Sequence, residues 1–283
     1  MHAILVFIAI SYGLSIALSV IVGITGGHNS ALIWLGYLSM FLPAAAVLIT
    51  SVAMKQAPRI RWDRFRLKYL PVALFLIPGI LHAVMVPLVV AVEGRIPWQD
   101  WLTPQADGLY HTPASREWGT LTVAGLVGRI TLNAAAGLVV VSFLAFFEEI
   151  GWRAWLLPRL ADRMGARRAV VITAIVWALW HVPFALSGIQ YIDGVPPATL
   201  ALTMPAGIAA TGLILGWLWL GTESIWLVSL AHGALNNWGQ YAFKFMQEPS
   251  VRGTDTLALG AGFGVLLVVG IFLLWRGGKE IVA

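Results

Sequence analysis

Eight long apolar runs constrain this chain more than any other feature of its sequence. A bilayer core about 30 Å thick is crossed by about 20 apolar helical residues, and the runs have about this length. They cover residues 3–24, 31–53, 69–92, 121–147, 169–187, 198–220, 224–243 and 257–275. Only α-helices and closed barrels satisfy their backbone in lipid, and barrel strands alternate in polarity and are about half as long. The sequence therefore predicts an all-α polytopic membrane protein with about eight transmembrane helices, forming one membrane domain over residues 1–283.

The composition agrees with membrane burial. Hydrophobic residues make up 59% of the chain and charged residues 11%, whereas soluble domains have roughly 25% charged residues. The first run has no positively charged segment before it and is too long for the core of a cleaved signal peptide, so we interpret it as the first span. Cysteine is absent, which excludes disulfides, thiolate metal ligands and a cysteine nucleophile.

The basic residues lie mainly on one side of the predicted bundle. Loops 54–68 and 158–168 and the tail carry Lys55, Arg59, Arg61, Arg64, Arg66, Lys68, Arg159, Arg163, Arg167, Arg168, Arg276 and Lys279. The opposite loops carry Arg95, Arg116, Lys244 and Arg252. The positive-inside rule explains this asymmetry without a nucleic-acid partner and predicts that both termini are cytoplasmic. With its compact loops, we interpret the chain as an integral protein of a bacterial plasma membrane, whose lipid bilayer is its first partner.

Two pairs of glycines lie four residues apart within apolar runs, Gly212 with Gly216 and Gly260 with Gly264. Small residues at this spacing let membrane helices approach closely. We expect both pairs to lie at helix contacts.

Ionisable side chains at the end of the fourth run are the first sign of a functional site. Each ionisable group inside a span costs at least ~2.5 kcal/mol, so it needs a partner, water or a function. Glu148 and Glu149 follow Phe146 and Phe147, and Arg153 comes four residues after Glu149, the favourable order for a helical ion pair. Consecutive helical positions are about 100° apart, so one glutamate can act in catalysis while the other anchors structure. The alternative is a helix end whose charges simply lie among lipid headgroups.

Two histidines add to this set from later runs. His181 lies inside the fifth run, just before Pro183, which should kink or loosen the helix there. His232 and Asn236 lie four residues apart in the seventh run and share a helical face. Taken singly, these residues can equally serve as hydrogen-bonded packing groups between helices.

Together these residues can activate a water molecule. A carboxylate can take its proton, a histidine can orient it, and His or Asn donors can stabilise an oxyanion. Glu148, His181 and His232 could instead bind a divalent metal such as zinc. The metalloprotease pattern HExxH is absent, so no local spacing favours a metal, and the residues leave both interpretations open.

The three motifs resemble those of the CPBP family, the CAAX prenyl protease and bacteriocin-processing membrane proteins. EEIGWR at 148–153 resembles EExxxR, Trp177-xxx-His181 resembles FxxxH, and His232-xxx-Asn236 resembles HxxxN. The resemblance covers about residues 130–245. Trp177 stands where the family often has Phe, and since both side chains fill space, we expect this departure to matter little.

The resemblance implies an eight-helix intramembrane endopeptidase that cleaves a membrane-associated or lipidated peptide or protein. By position, Glu148 resembles the water-activating carboxylate and His181 its partner. His232 and Asn236 resemble the oxyanion-stabilising pair, with Glu149 and Arg153 in support. We expect no required cofactor, although the family is described both as glutamate-dependent and as metal-dependent, which leaves zinc open.

Two other functions fit the same residues. A non-proteolytic scaffold or immunity protein could retain the site unused. A proton-coupled transporter could use intramembrane carboxylates as relays, and Arg129 and Asn133 in the fourth run offer a second polar patch. Against a transporter, we find no related halves of the kind that such proteins commonly show.

Overall fold

The computed structural model describes residues 1–94, 103–111, 119–192, 194–239 and 252–277. The α-helices are α1 (His2–Ile24), α2 (Leu42–Met54), α3 (Leu70–Glu93), α4 (Val123–Glu149), α5 (Leu157–Met164), α6 (Ala166–Trp180), α7 (Val182–Ser187), α8 (Pro197–Thr222), α9 (Ile225–Ala234) and α10 (Arg252–Gly277). The 3-10 helices are Gly27–Asn29, Ile33–Phe41, Leu67–Tyr69 and Ala106–Gly108. The π-helices are Ile150–Leu156 and Leu235–Gly239. Strands β1 (Thr103–Pro104), β2 (Tyr110–His111) and β3 (Thr120–Leu121) form a small antiparallel sheet in the order β1-β2-β3.

The all-α membrane class predicted from the sequence is confirmed. Within the described ranges, seven helical segments are long and apolar enough to span a membrane: His2–Ile24, Ile33–Met54, Leu67–Glu93, Val123–Met164, Ala166–Ser187, Pro197–Thr222 and Leu257–Arg276. The remaining predicted run, 224–243, begins as helix over Ile225–Gly239. Its last four residues lie outside the described residues, so the eighth span stays a prediction.

Helices α6 and α8 pack closely at the first glycine pair. A Cβ atom added to Gly212 would lie 2.8 Å from the Cβ of Ala174, and one added to Gly216 would lie 2.5 Å from Cγ1 of Val170. Real Cβ atoms do not approach so closely, so only glycine allows this contact. The predicted role of this pair is confirmed.

The prediction for the second glycine pair is wrong. A Cβ atom added to Gly260 or Gly264 would meet nothing within 4 Å, because these positions lie on an exposed face of α10. The glycines of α10 that face neighbours are Gly262 and Gly270, where an added Cβ would lie 3.1 Å from Leu81 and 2.9 Å from Leu213. The rotation of α10 about its axis decides which of its glycines contact neighbouring helices. The spacing of the glycines in the sequence does not reveal this rotation.

The fifth apolar run is broken at His181, as the proline predicted. Helix α6 ends at Trp180 and α7 begins at Val182, with Pro183 in its first turn. His181 is the junction between the two helices and is only 7% exposed. The break therefore places an imidazole inside the bundle beside a loosened stretch of backbone.

The chain after Glu149 continues as a π-helix that is buried from Gly151 to Leu156. At Gly151 an added Cβ would lie 2.6 Å from the Cβ of Pro43 in α2, so this segment runs directly against that helix. Trp155 stacks on Phe7 of α1 with ring centroids 4.7 Å apart. These contacts enclose the end of α4 in protein, and the glutamates that end it do not lie among headgroups.

Candidate active site

Glu149 is the centre of a buried charged cluster that joins α4, the following π-helix and α9. Its Oε1 accepts a hydrogen bond of 2.8 Å from Nη1 of Arg153 and another of 2.8 Å from Nδ1 of His232. Glu149 and Arg153 are both 0% exposed, and His232 is 3% exposed. The expected Glu149–Arg153 ion pair is thus present, and it also engages His232.

Glu148 has a different environment from its neighbour. Its Oε2 accepts a 2.8 Å hydrogen bond from the indole Nε1 of Trp177 in α6. Within the described part of the chain, no hydrogen bond to Oε1 of Glu148 is found, and the residue keeps 4% exposure. The two adjacent carboxylates therefore differ in their donors: one oxygen of Glu149 accepts from an arginine and a histidine, whereas one oxygen of Glu148 accepts from a single neutral indole.

The His181 side chain is held by a hydrogen bond to the main chain one helical turn earlier. Its Nδ1 lies 2.8 Å from the carbonyl oxygen of Trp177, and because a carbonyl only accepts, Nδ1 carries the proton. In the neutral ring Nε2 then presents a lone pair. Rings of Trp177, Trp180 and Phe184 lie edge-on around the imidazole, and the bond from Nδ1 to the Trp177 carbonyl sets its orientation.

Trp177 contacts more members of the site than sequence reasoning expected. Besides its bonds to Glu148 and His181, its ring lies 4.6 Å from the guanidinium carbon of Arg153 and 5.1 Å from the ring of His232. Phe could fill the same space but could not donate to a carboxylate. A buried indole N–H in a membrane span needs an acceptor. The presence of Trp rather than Phe at this position could therefore have predicted a hydrogen bond from residue 177.

Asn236 lies apart from this hydrogen-bonded network. It is partly buried in the π-helix Leu235–Gly239, and its side chain makes no hydrogen bond to another described residue. Its neighbour Asn237 donates from Nδ2 to the carbonyl oxygen of Ala134 in α4 at 2.8 Å. Gly137 makes room for that contact, since an added Cβ would lie 2.9 Å from Oδ1 of Asn237. Asn237 thus anchors the π-helix to α4 and leaves the Asn236 amide available.

Several buried polar atoms in the cluster have no hydrogen-bond partner among the described residues. They are Oε2 of Glu149 and Nε and Nη2 of Arg153. Buried polar groups are normally satisfied by protein or by ordered water. The cluster thus retains one acceptor and several donor positions on the buried side of the Glu149–Arg153 pair.

The side chains named as possible metal ligands do not form a ready metal site. Among the residues that the structure describes, no group of three His, Asp or Glu side chains is arranged to hold a metal ion. Oε1 of Glu148 has no bond to a described residue, and His181 and His232 keep Nε2 available because their Nδ1 atoms are bonded to Trp177 and Glu149.

The fold and this cluster define a polytopic membrane protein with a buried acid–base site. Residues 129–238 match the family model described as Rce1-like, type II CAAX prenyl endopeptidase. The site residues Glu148 to Asn236 all lie inside that match. CAAX prenyl protease 2 of Methanococcus maripaludis is 27% identical over 131 residues, which is 46% of this chain and 48% of the relative. The chain thus spans about half the length of the curated relative that it matches. These findings confirm the resemblance to the CAAX protease family that the three motifs indicated.

Proposed function

We propose that this protein is a CAAX-type membrane endopeptidase in which Glu148 deprotonates the attacking water. One observation carries the proposal: Glu148 is a nearly buried carboxylate with Oε2 held by Trp177 and Oε1 free of described partners. A general base needs an oriented lone pair and restricted access of bulk water. The family match and the matched relative's name support peptide hydrolysis as the reaction.

The reaction proceeds through a water bound at Oε1 of Glu148. Glu148 takes one proton while the oxygen attacks the peptide carbonyl, and the tetrahedral intermediate collapses when Glu148 returns the proton to the leaving amine. The Nε2 lone pair of His181 accepts the second hydrogen of the water and so orients its oxygen. This assignment follows from the Nδ1 bond to Trp177.

The oxyanion is stabilised from α9 and the π-helix that follows it. Nδ1 of His232 donates to Glu149, so the ring acts as a donor to the oxyanion through Nε2 when both ring nitrogens carry protons. The amide of Asn236 supplies the second donor. Glu149 and Arg153 act in support, because the arginine holds the carboxylate that faces His232.

No step of this mechanism uses a cofactor. Zinc bound by Glu148, His181 and His232 would supply Lewis-acid chemistry, but the described side chains do not present that ligand set. Metal analysis of the purified active protein decides between the two mechanisms.

The substrate is a membrane-associated or lipidated peptide or protein, and the enzyme is an integral protein of a bacterial plasma membrane. The excess of basic residues in loops 54–68 and 158–168 supports cytoplasmic termini. Glu148 ends the fourth apolar run on that same side. The substrate would therefore be cleaved near the cytoplasmic face.

Replacing Glu148 by Gln tests the proposal. We expect Glu148→Gln to slow cleavage at least ~100-fold, because the amide cannot take a proton yet still accepts from Trp177. The assay uses the full chain in nanodiscs and a quenched peptide that ends in a prenylated CAAX sequence. Glu223→Gln, which makes the same change at an exposed position, should cleave at the wild-type rate.

Comparison of membrane proteomes from cells with wild-type and Glu148→Gln protein extends the test to unknown substrates. Fragments present only with the wild type identify them. If Glu148→Gln cleaved as fast as the wild type, the assignment of the base would be wrong. If neither protein cleaved any membrane protein while both kept the same biological activity, a scaffold or immunity role would replace the enzyme.

A further inference from the structure

Trp177 connects both groups that act on the water. Its indole N–H bonds to Oε2 of Glu148, and its main-chain carbonyl accepts from His181. The residue is 2% exposed. A single residue thus holds the carboxylate by its side chain and the imidazole by its backbone.

The side-chain bond restricts Glu148 in a way that packing alone does not. A glutamate has three side-chain torsions, and the last one, which turns the carboxylate, is broad and roughly two-fold. An N–H donor on one oxygen removes this freedom and makes the two oxygens different. Oε2 accepts the hydrogen bond from the indole N–H, and Oε1 remains free to accept another.

We infer that the Trp177 indole is a positioning group that binds Oε2 of Glu148 and so assigns proton transfer to Oε1. The inference rests on the proposed function, since it concerns the orientation of the base in that reaction. Trp177 itself touches neither the water nor the peptide bond. A phenylalanine at this position would have no N–H to donate.

Trp177→Phe isolates this role from the other contacts of the residue. The carbonyl that fixes His181 belongs to the backbone and persists in any variant. The aromatic face toward Arg153 and the edge contact with His232 are largely kept by a phenyl ring. Only the N–H donor and part of the ring volume are lost.

Trp180→Phe is a matched control in the same helix. Trp180 is equally buried, and its ring also contacts His181, with centroids 5.0 Å apart. Its indole N–H donates to the carbonyl oxygen of Ser11 in α1 and makes no bond to a glutamate. The two variants lose the same atoms of the indole. They differ in the acceptor that loses its donor, which is Glu148 in one case and the Ser11 carbonyl in the other.

The test measures kcat and KM for the quenched CAAX peptide in nanodiscs. We expect Trp177→Phe to lower kcat by about 10- to 100-fold with KM within about twofold, because the loss of a hydrogen bond to a charged group is large. Trp180→Phe should keep kcat within about threefold. Equal kcat values for wild type and Trp177→Phe, or equal losses in both variants, would overturn the inference. If the wild type does not cleave this peptide, the same comparison is made on a substrate identified from the membrane proteomes, and the proposed function fails if the wild type cleaves no membrane protein.

A second variant covers the case in which Trp177→Phe does not fold. Site-specific incorporation of 3-benzothienylalanine at position 177 replaces the N–H by sulfur and keeps the ring shape. The same fall in kcat is expected, with the unfolding temperature of the wild type. Full activity of this protein would show that ring shape, rather than the donor, is what matters at this position.

Discussion

Replacing Glu149 by Gln should expose the energetic role of the buried ion pair. The carboxylate and the Arg153 guanidinium are both 0% exposed and joined at 2.8 Å, so solvent does not screen them. The amide of the variant could still accept a hydrogen bond, but the guanidinium would lose its bonded counter-charge. Removing one partner of a buried pair costs about 3–5 kcal/mol, which corresponds to a fall of about 6–20 °C in unfolding temperature for a chain of this size.

The assay is thermal unfolding of the purified chain in detergent, followed by tryptophan fluorescence. A double variant, Glu149→Gln with Arg153→Met, removes both charges at similar volume, and we expect it to regain most of the lost stability. Asp162→Asn breaks an exposed pair with Arg59 whose N–O distance is 2.6 Å, and it should cost less than about 1 kcal/mol. If Glu149→Gln unfolded within about 2 °C of the wild type, or the double variant were no better than the single one, the cluster would not stabilise the fold as described.

Two further predictions concern α9 and the π-helix that follows it. Gly233→Ala should lower the free energy of unfolding by about 1–3 kcal/mol, because the new Cβ would lie 2.7 Å from Cα of Ser142 in α4. The control Gly264→Ala places its Cβ in open space and should leave the unfolding temperature unchanged or higher. Equal effects of the two substitutions would refute this close packing of α9 on α4. Asn236→Ala should lower kcat about 100-fold or more with unchanged stability, as loss of an oxyanion donor does. Asn237→Ala should cost about 0.5–1.5 kcal/mol of stability with little change in kcat, and the reversed pattern of rates and unfolding temperatures would exchange the roles of the two residues.

The spans could be predicted because the length and polarity of a run determine directly whether a helix can cross lipid. Helix α1 was predicted within one residue at its start, and the break at His181 followed from Pro183. The Glu149–Arg153 pair followed from helical spacing. In each case the physical cause is local in sequence.

Features that depend on contact between distant helices were not predictable. Nothing in the spacing of Gly260 and Gly264 shows that their face of α10 is exposed. The bond from Trp177 to Glu148 joins residues 29 positions apart, and it required knowing how α6 is rotated against α4. The partner of His232 was missed for the same reason.

The three motifs share a backbone feature that explains how distant residues converge. The glutamates lie where α4 gives way to the π-helix Ile150–Leu156, His181 lies at the break between α6 and α7, and Asn236 lies in the π-helix Leu235–Gly239. A regular helix offers its side chains only at fixed angles of about 100° per residue, whereas a π-turn or a break shifts that phase. Irregular backbone at membrane depth is tolerated where it is buried in protein or lines a water-filled cavity. The irregular turns therefore set the angles at which the site residues are presented, and substitutions that regularise these turns should misplace the acids and bases before they unfold the bundle.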